Sequence, residues 1–134
     1  VKASDEDLEP FEFGADPQRA AARAYEEMES GMLVLTEGGG GATLYTARGK
    51  LEKVSYPVAN IIDTVGAGDT FHSAFLASLY RADAISRPYR EIDTDVLGDA
   101  VDFACAAAAI NVSRAGCSPP TQEEVESYRR SVKR

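Results

Sequence analysis

Nine consecutive residues, Asp63, Thr64, Val65, Gly66, Ala67, Gly68, Asp69, Thr70 and Phe71, combine two glycines with two acids. Beyond them Phe71, Ala74, Phe75 and Leu79 recur at i, i+3, i+4 and i+8, which predicts an amphipathic helix opening at the glycines. The free N–H groups and positive dipole end of such a helix form an anion site. Glycine lets the backbone approach a phosphate with no side chain in the way. Asp69 then stands where a hydroxyl can reach the same anion from the far side. Anion cradle plus carboxylate is the equipment for phosphoryl transfer to an alcohol. A plainer reading has Gly66 and Gly68 shaping a tight turn and Asp69 capping the helix. The stretch is not a Walker A loop, because no Gly-Lys-Ser/Thr follows. Nor is it a dinucleotide fingerprint, because Phe71 occupies the third glycine position.

These residues need elements to hold them. Ala59 to Ile62 is an apolar run, a short strand or loop that leads in, and Val58 to Ile62 is expected to come from the sheet's edge. Upstream, Met32 to Leu35 reads as a buried parallel strand. From its carboxyl end run Thr36, Glu37, Gly38, Gly39, Gly40, Gly41 and Ala42, in the place where open α/β sheets bind ligands. Glycine runs also serve as simple turns, and both readings stand. Asp16-Pro17 starts a helix that is expected to reach about Glu29 and to close at Gly31. Ser4 to Leu8 reads as a capped first turn rich in acids, with Gly14 ending that helix. Residues 42–47 and 51–56 alternate around Arg48-Gly49-Lys50 as a hairpin, and Pro57 breaks it. Residues 81–93 form a polar surface connection. Thr94 is expected to cap a helix with the stripe Leu97, Val101, Ala104 and Ala108. Thr121 to Glu124 is a capping box opening a last helix. Helix alternating with strand is the unit of a doubly wound sheet.

A chain of 134 residues holds one domain by length, and 44% hydrophobic with 27% charged residues is ordinary for a globular protein. No apolar run approaches the roughly 20 residues of a membrane span, and the start lacks a secretion signal. The net charge of -8 argues against nucleic-acid and anionic-membrane partners. ATP stays open, since local amides and a divalent ion outweigh a distant acidic surface. Cys105 and Cys117 read as reduced thiols, which places the protein in the cytoplasm.

DTVGAGDTFHSAFLASL, from Asp63 to Leu79, resembles the C-terminal signature of the PfkB, or ribokinase-like, family of carbohydrate kinases. The likeness continues in TEGGGGATLYT upstream and NVSRAGCSPPTQEEV downstream, so it covers nearly the whole chain. The Arg-Ala-Gly-Cys-x-Pro-Pro tail and the Val-Lys-Ala-Ser-Asp-Glu-Asp-Leu start are most similar to fructokinases.

The resemblance implies an α/β fold, a ribokinase-like three-layer αβα sandwich with a mainly parallel sheet. Residues 1–134 would be its C-terminal nucleotide-binding and catalytic portion, with the sugar-binding half and lid absent. It implies ATP-dependent phosphorylation of a sugar's primary hydroxyl, fructose first. Ribokinase, 2-keto-3-deoxygluconate kinase, nucleoside kinase and a non-catalytic nucleotide-binding fragment are the rivals. Asp69 would be the base, and the amides of Gly66, Ala67, Gly68 and Asp69 the anion hole. Thr36, Glu37, Gly38, Gly39, Gly40 and Gly41, with Gly68, would lie along the nucleotide, and the adenine near the helix carrying Ala106 to Ala109. Asp63, Val65, Asn111, Arg114 and Gly116 would surround a monovalent cation, potassium, although Pro120 replaces a serine that often completes the shell. ATP and Mg2+ are the implied cofactors, and the parent is expected as a homodimer. The family's Asn-x-x-Glu, which orders magnesium and phosphates at the first strand-to-helix junction, aligns with Lys2 and Asp5, and neither residue matches. His72, the only histidine, points away from the acceptor. The piece alone is expected to be inactive.

Overall fold

The structure is a computed structural model that describes residues 1–10 and 16–132. Four strands, β1 (Lys2–Ser4), β2 (Leu33–Thr36), β3 (Ala42–Thr46) and β4 (Gly49–Lys53), lie side by side in that order. Among the described residues five α-helices accompany them: α1 (Asp5–Leu8), α2 (Pro17–Glu26), α3 (Ala67–Arg81), α4 (Thr94–Val112) and α5 (Gln122–Ser131).

Alternation along the inner strands splits the core in two. Leu33, Leu35 and Tyr45 project to one face and pack with Ala3, Leu8, Ala20 and Ala21. Val34, Ala42 and Leu44 project to the other and pack with Phe71, Phe75, Leu79, Leu97 and Val101. A strand buried on both faces reads as a continuous apolar run, which is why residues 32–35 were legible as a strand. The outcome is three layers, with α1 and α2 on one side of the sheet and α3, α4 and α5 on the other.

The sheet is mixed within this chain. β1 pairs with β2 in parallel, whereas β2 with β3 and β3 with β4 are antiparallel. Parallel neighbours need a crossover, which the α1–α2 segment supplies between β1 and β2. The short glycine turn at 38–40 and the Ala47-Arg48 turn can only reverse the chain.

Other boundaries also moved. α2 stops at Glu26, where Met28 N–H bonds back to Tyr25 O and tightens the last turn. Thr94 is the first helical residue of α4, and Asp93 is the N-cap with no side-chain bond. Residues 58–62 form no strand. Instead the N–H groups of Ile62 and Asp63 both donate to Val112 O, so α4 holds this segment, not the sheet. The expected end of the first helix at Gly14 lies outside the described residues. The expected capping box is present at Thr121 with Glu124, and the expected cap at Ser4 is a capping box as well, closed by Asp7. Among the described residues no helix is long and apolar enough to cross a membrane.

Candidate active site

α3 begins where a left-handed residue turns the chain into it. Gly66, at φ 75°, is the N-cap and has no side chain with which to cap. A Cβ there would stand 3.0 Å from Cys117 Cβ and overlap the Cys117 Sγ outright. Both the backbone sign and the space therefore require glycine at this position. Gly68 differs. It lies inside the helix without a positive φ, and the atom nearest its missing side chain is Lys2 Nζ, 3.2 Å from a Cβ built there.

Of the four amides expected to hold an anion, Ala67 N–H donates to Thr64 O at 3.2 Å. The N–H groups of Gly66, Gly68 and Asp69 have no hydrogen-bond partner among the described residues. Three open donors at a helix N-terminus attract anions through both hydrogen bonds and the dipole. Asp69 is the third residue of α3, exposed, and its carboxylate makes no hydrogen bond or ion pair with the described residues. It is not the cap of the plainer reading; Gly66 holds that place. His72 is exposed one turn further on.

The five residues expected around a cation do come together. Asp63 Oδ1 accepts Val65 N–H at 2.9 Å, and Oδ2 accepts Gly116 N–H at 3.0 Å. Asn111 is 0% exposed; its Nδ2 donates to Val65 O and its Oδ1 accepts Ser118 N–H, both at 3.0 Å. Arg114 N–H donates to Asn111 O at 3.0 Å, and its guanidinium pairs with Glu124. The cluster joins the end of α4 to the start of α3 through its own hydrogen bonds. Each Asp63 oxygen and the Val65 carbonyl keep one lone pair beyond these bonds.

The glycine run divides by role. Thr36 Oγ1 donates to Ala3 O, tying the ends of β1 and β2 together. Glu37 accepts a bond from Gln18 Nε2, and its N–H donates to Gly41 O. Gly41, at φ 104°, has no room for a side chain, because a Cβ would overlap Lys53 O and meet Ser55 N at 2.8 Å. It is there for the approach of the chain beyond β4. Gly38 and Gly39 face open space and leave bare backbone at the end of β2.

At the first junction Ser4 is the N-cap of α1, and Asp7 returns the bond to Ser4 N–H at 2.8 Å. Lys2 opens β1 and Asp5 opens α1, and the side-chain pair that closes this junction is Ser4 with Asp7. The sequence held no sign of the contact between Cys117 and Gly66.

A groove completes the region, between residues 57–62 and the α4–α5 pair, lined by Val58, Asn60, Ala109, Ile110 and Tyr128. Tyr128 OH donates to Pro57 O and holds one wall.

Residues 1–124 match the model of the pfkB family of carbohydrate kinases. The chain belongs to the pfkB carbohydrate kinase family. The match spans the α3 turn, the glycine run and the 111–118 segment together. A fructokinase of Rhizobium leguminosarum bv. trifolii is 43% identical over 81 residues, 59% of this chain and 24% of that protein. An aminoimidazole riboside kinase from Salmonella enterica, solved with aminoimidazole riboside and an ATP analog, superposes with a TM-score of 0.79 at 26% identity, covering 95% of this chain and 40% of that one. A fructokinase from Vibrio cholerae O395, in a form bound to fructose, ADP and calcium, gives 0.72 at 25% identity, covering 96% and 40%. Thus this pfkB chain spans about a quarter of the curated relative and two fifths of the solved ones. The ribokinase-like α/β fold follows from these superpositions.

Proposed function

We propose that residues 1–134 are the nucleotide-binding and catalytic portion of a longer ATP-dependent sugar kinase, with fructose as the first acceptor to test. One observation carries the reading: the unpartnered Asp69 carboxylate rises from the same helical turn that offers the open amides of Gly66, Gly68 and Asp69. The short coverage of each relative supports a parent with further chain to supply the acceptor site and lid. A homodimeric parent and a cytoplasmic setting, where reduced thiols persist, suit this reading.

In this mechanism Asp69 accepts the proton of the sugar's primary hydroxyl. The hydroxyl oxygen bonds to the γ-phosphorus as the bond to the ADP oxygen breaks. Amides aimed at the transferring oxygens hold the charge that builds there, and fixed dipoles do this without reorganising. The bare backbone at Gly38 to Gly40 borders the nucleotide, with Thr36, Glu37 and Gly41 holding that loop in shape. The groove beside Ala109 takes the flat base.

Among the described residues no group of three or more His, Cys, Asp or Glu is placed to hold a metal. A magnesium ion accompanying ATP would be held chiefly by phosphate oxygens and water, the ligands that ion prefers. The lone pairs left on Asp63 and on the carbonyls of Val65, Asn111, Arg114 and Gly116 suit a hard monovalent cation such as potassium. That ion would steady the turn entering α3.

The test is ADP release by the full-length protein with fructose, ribose, 2-keto-3-deoxygluconate and a nucleoside. Sugar-dependent turnover led by fructose is expected. Turnover with none of them, alongside tight ATP binding, would favour a nucleotide-binding module instead.

A further inference from the structure

We propose that Gln18, at the start of α2, is a positioning residue for the glycine run that borders the nucleotide. Its carboxamide fixes Glu37, and Glu37 fixes the run. The proposal deepens the kinase reading and rests on it.

The run has little to hold it from outside. A Cβ built on Gly38 or Gly39 meets no atom within 4 Å. Glycine also loses more backbone freedom on ordering than any other residue. The turn closes on Glu37, whose N–H donates to Gly41 O at 2.9 Å and whose O accepts Gly40 N–H at 2.8 Å. The Glu37 side chain then leaves the loop and accepts a bond from Gln18 Nε2, in the first turn of α2.

Every hydrogen-bonding position of the Gln18 amide is used. Nε2 donates to Glu37 and, at 2.9 Å, to Thr43 Oγ1. Oε1 accepts from Tyr45 OH at 2.6 Å and from Lys50 Nζ at 3.3 Å. A carboxylate only accepts and an ammonium only donates. Glu37 therefore demands the amide nitrogen on its side, and Lys50 demands the oxygen on the other. A flipped amide would lose both. Thr43 and Tyr45 are buried on β3, so the amide is seated on the sheet and not on another loop. A fully satisfied network of this kind imposes one geometry.

The chain of contacts thus runs from β3 through Gln18 to Glu37 and the backbone of residues 38–41. A loop already in shape loses less entropy when a nucleotide settles against it. Gln18 touches neither phosphate nor acceptor in this scheme; it acts through Glu37.

The experiment compares Gln18→Glu, Glu37→Gln and the double variant with wild type in the full-length protein. Gln18→Glu keeps the size of the side chain and sets two carboxylates against each other. Adding Glu37→Gln restores a donor opposite an acceptor. By ADP calorimetry and steady-state kinetics, Gln18→Glu is expected to weaken ADP binding and raise the KM for ATP about tenfold. The kcat and the KM for the sugar should stay within about threefold of wild type. Glu37→Gln alone should stay near wild type, because a glutamine can turn its oxygen toward Gln18, and the double variant should recover most of the loss. Gln18→Met, which adds no charge, should weaken ADP binding in the same direction, so the test does not depend on the charged variant folding. Unchanged ADP affinity in both Gln18 variants, no recovery in the double variant, or an equal rise in both KM values would each overturn the proposal. Wild type without affinity for ADP would overturn it together with the kinase reading. ADP binding without phosphorylation of any sugar would overturn the kinase reading alone, since calorimetry reads the loop without turnover.

Discussion

Gly66 and Cys117 share one space: the volume a side chain on Gly66 would need is filled by the Cys117 thiol. The contact joins the N-cap of α3 to the loop that follows α4, and the bond from Gly116 N–H to Asp63 lies beside it. The turn that aims the amides is thus held by residues distant in the chain.

Gly66→Ala should therefore destabilise the protein by about 1–3 kcal/mol, from a positive φ combined with a clash. Gly116→Ala, with φ 68° but no atom within 4 Å of the new Cβ, should cost less. Thermal melts of both variants check the order. Adding Cys117→Ala to Gly66→Ala should return part of the loss, because it removes the overlapping sulfur. A strictly additive double mutant would show that the contact carries no energy.

Asp69→Asn should lower turnover of the full-length protein by about 10²–10⁴ and leave nucleotide affinity nearly unchanged. The carboxylate is exposed and unpartnered, so its loss removes a proton acceptor without unseating α3. Steady-state kinetics paired with ADP calorimetry separates the two effects. A variant within threefold of wild-type turnover would remove Asp69 from the role of base.

Asn111→Leu tests the buried bridge. It strands Val65 O and Ser118 N–H, and each polar group left unsatisfied costs about 1–3 kcal/mol. Urea unfolding should show the loss, and ADP binding should weaken as well, because Val65 immediately precedes the α3 cap. Loss of stability with ADP affinity intact would mean that the bridge supports the core but not the site.

Acid should weaken the molecule through its two capping boxes. The Asp7 carboxyl is held below its usual range first by Ser4 N–H and then by the Ser4 hydroxyl. The Glu124 carboxyl is lowered first by Thr121 N–H and then by Arg114. A carboxylate lowered on folding contributes stability that is fully present above its unfolded value. That contribution is lost as pH falls through the folded value. Melting temperature should thus hold from pH 7 to about 5 and fall below about 4, where unfolded Asp and Glu begin to take up protons. Glu124→Gln should melt lower than wild type at pH 7, and the gap should close toward pH 3. A gap that stays constant would assign the Glu124 effect to something other than its charge.

Signals contained within a turn or two of chain were legible without the fold. The α3 periodicity from Phe71 to Leu79, the Asp16-Pro17 start, the capping box at Thr121 and the apolar run of β2 each depend on neighbours three or four positions away. The glycines and Asp69 could be assigned to a helix N-terminus for the same reason, and the pfkB likeness followed from that stretch. Tertiary structure decided what depends on distant partners. Residues 58–62 have strand-like composition, yet they pair with no strand, and the amides of Ile62 and Asp63 go to Val112 O at the end of α4. Asn111 reaches Val65 across 46 positions, and Asp63 reaches Gly116 across 53. The same folding set Cys117 against Gly66 and Lys2 beside Gly68. Sequence periodicity carries no information about such pairs, because it records which face a residue occupies and not what stands opposite. The side chain that fills the space beside a glycine is known only once the chain has closed on itself.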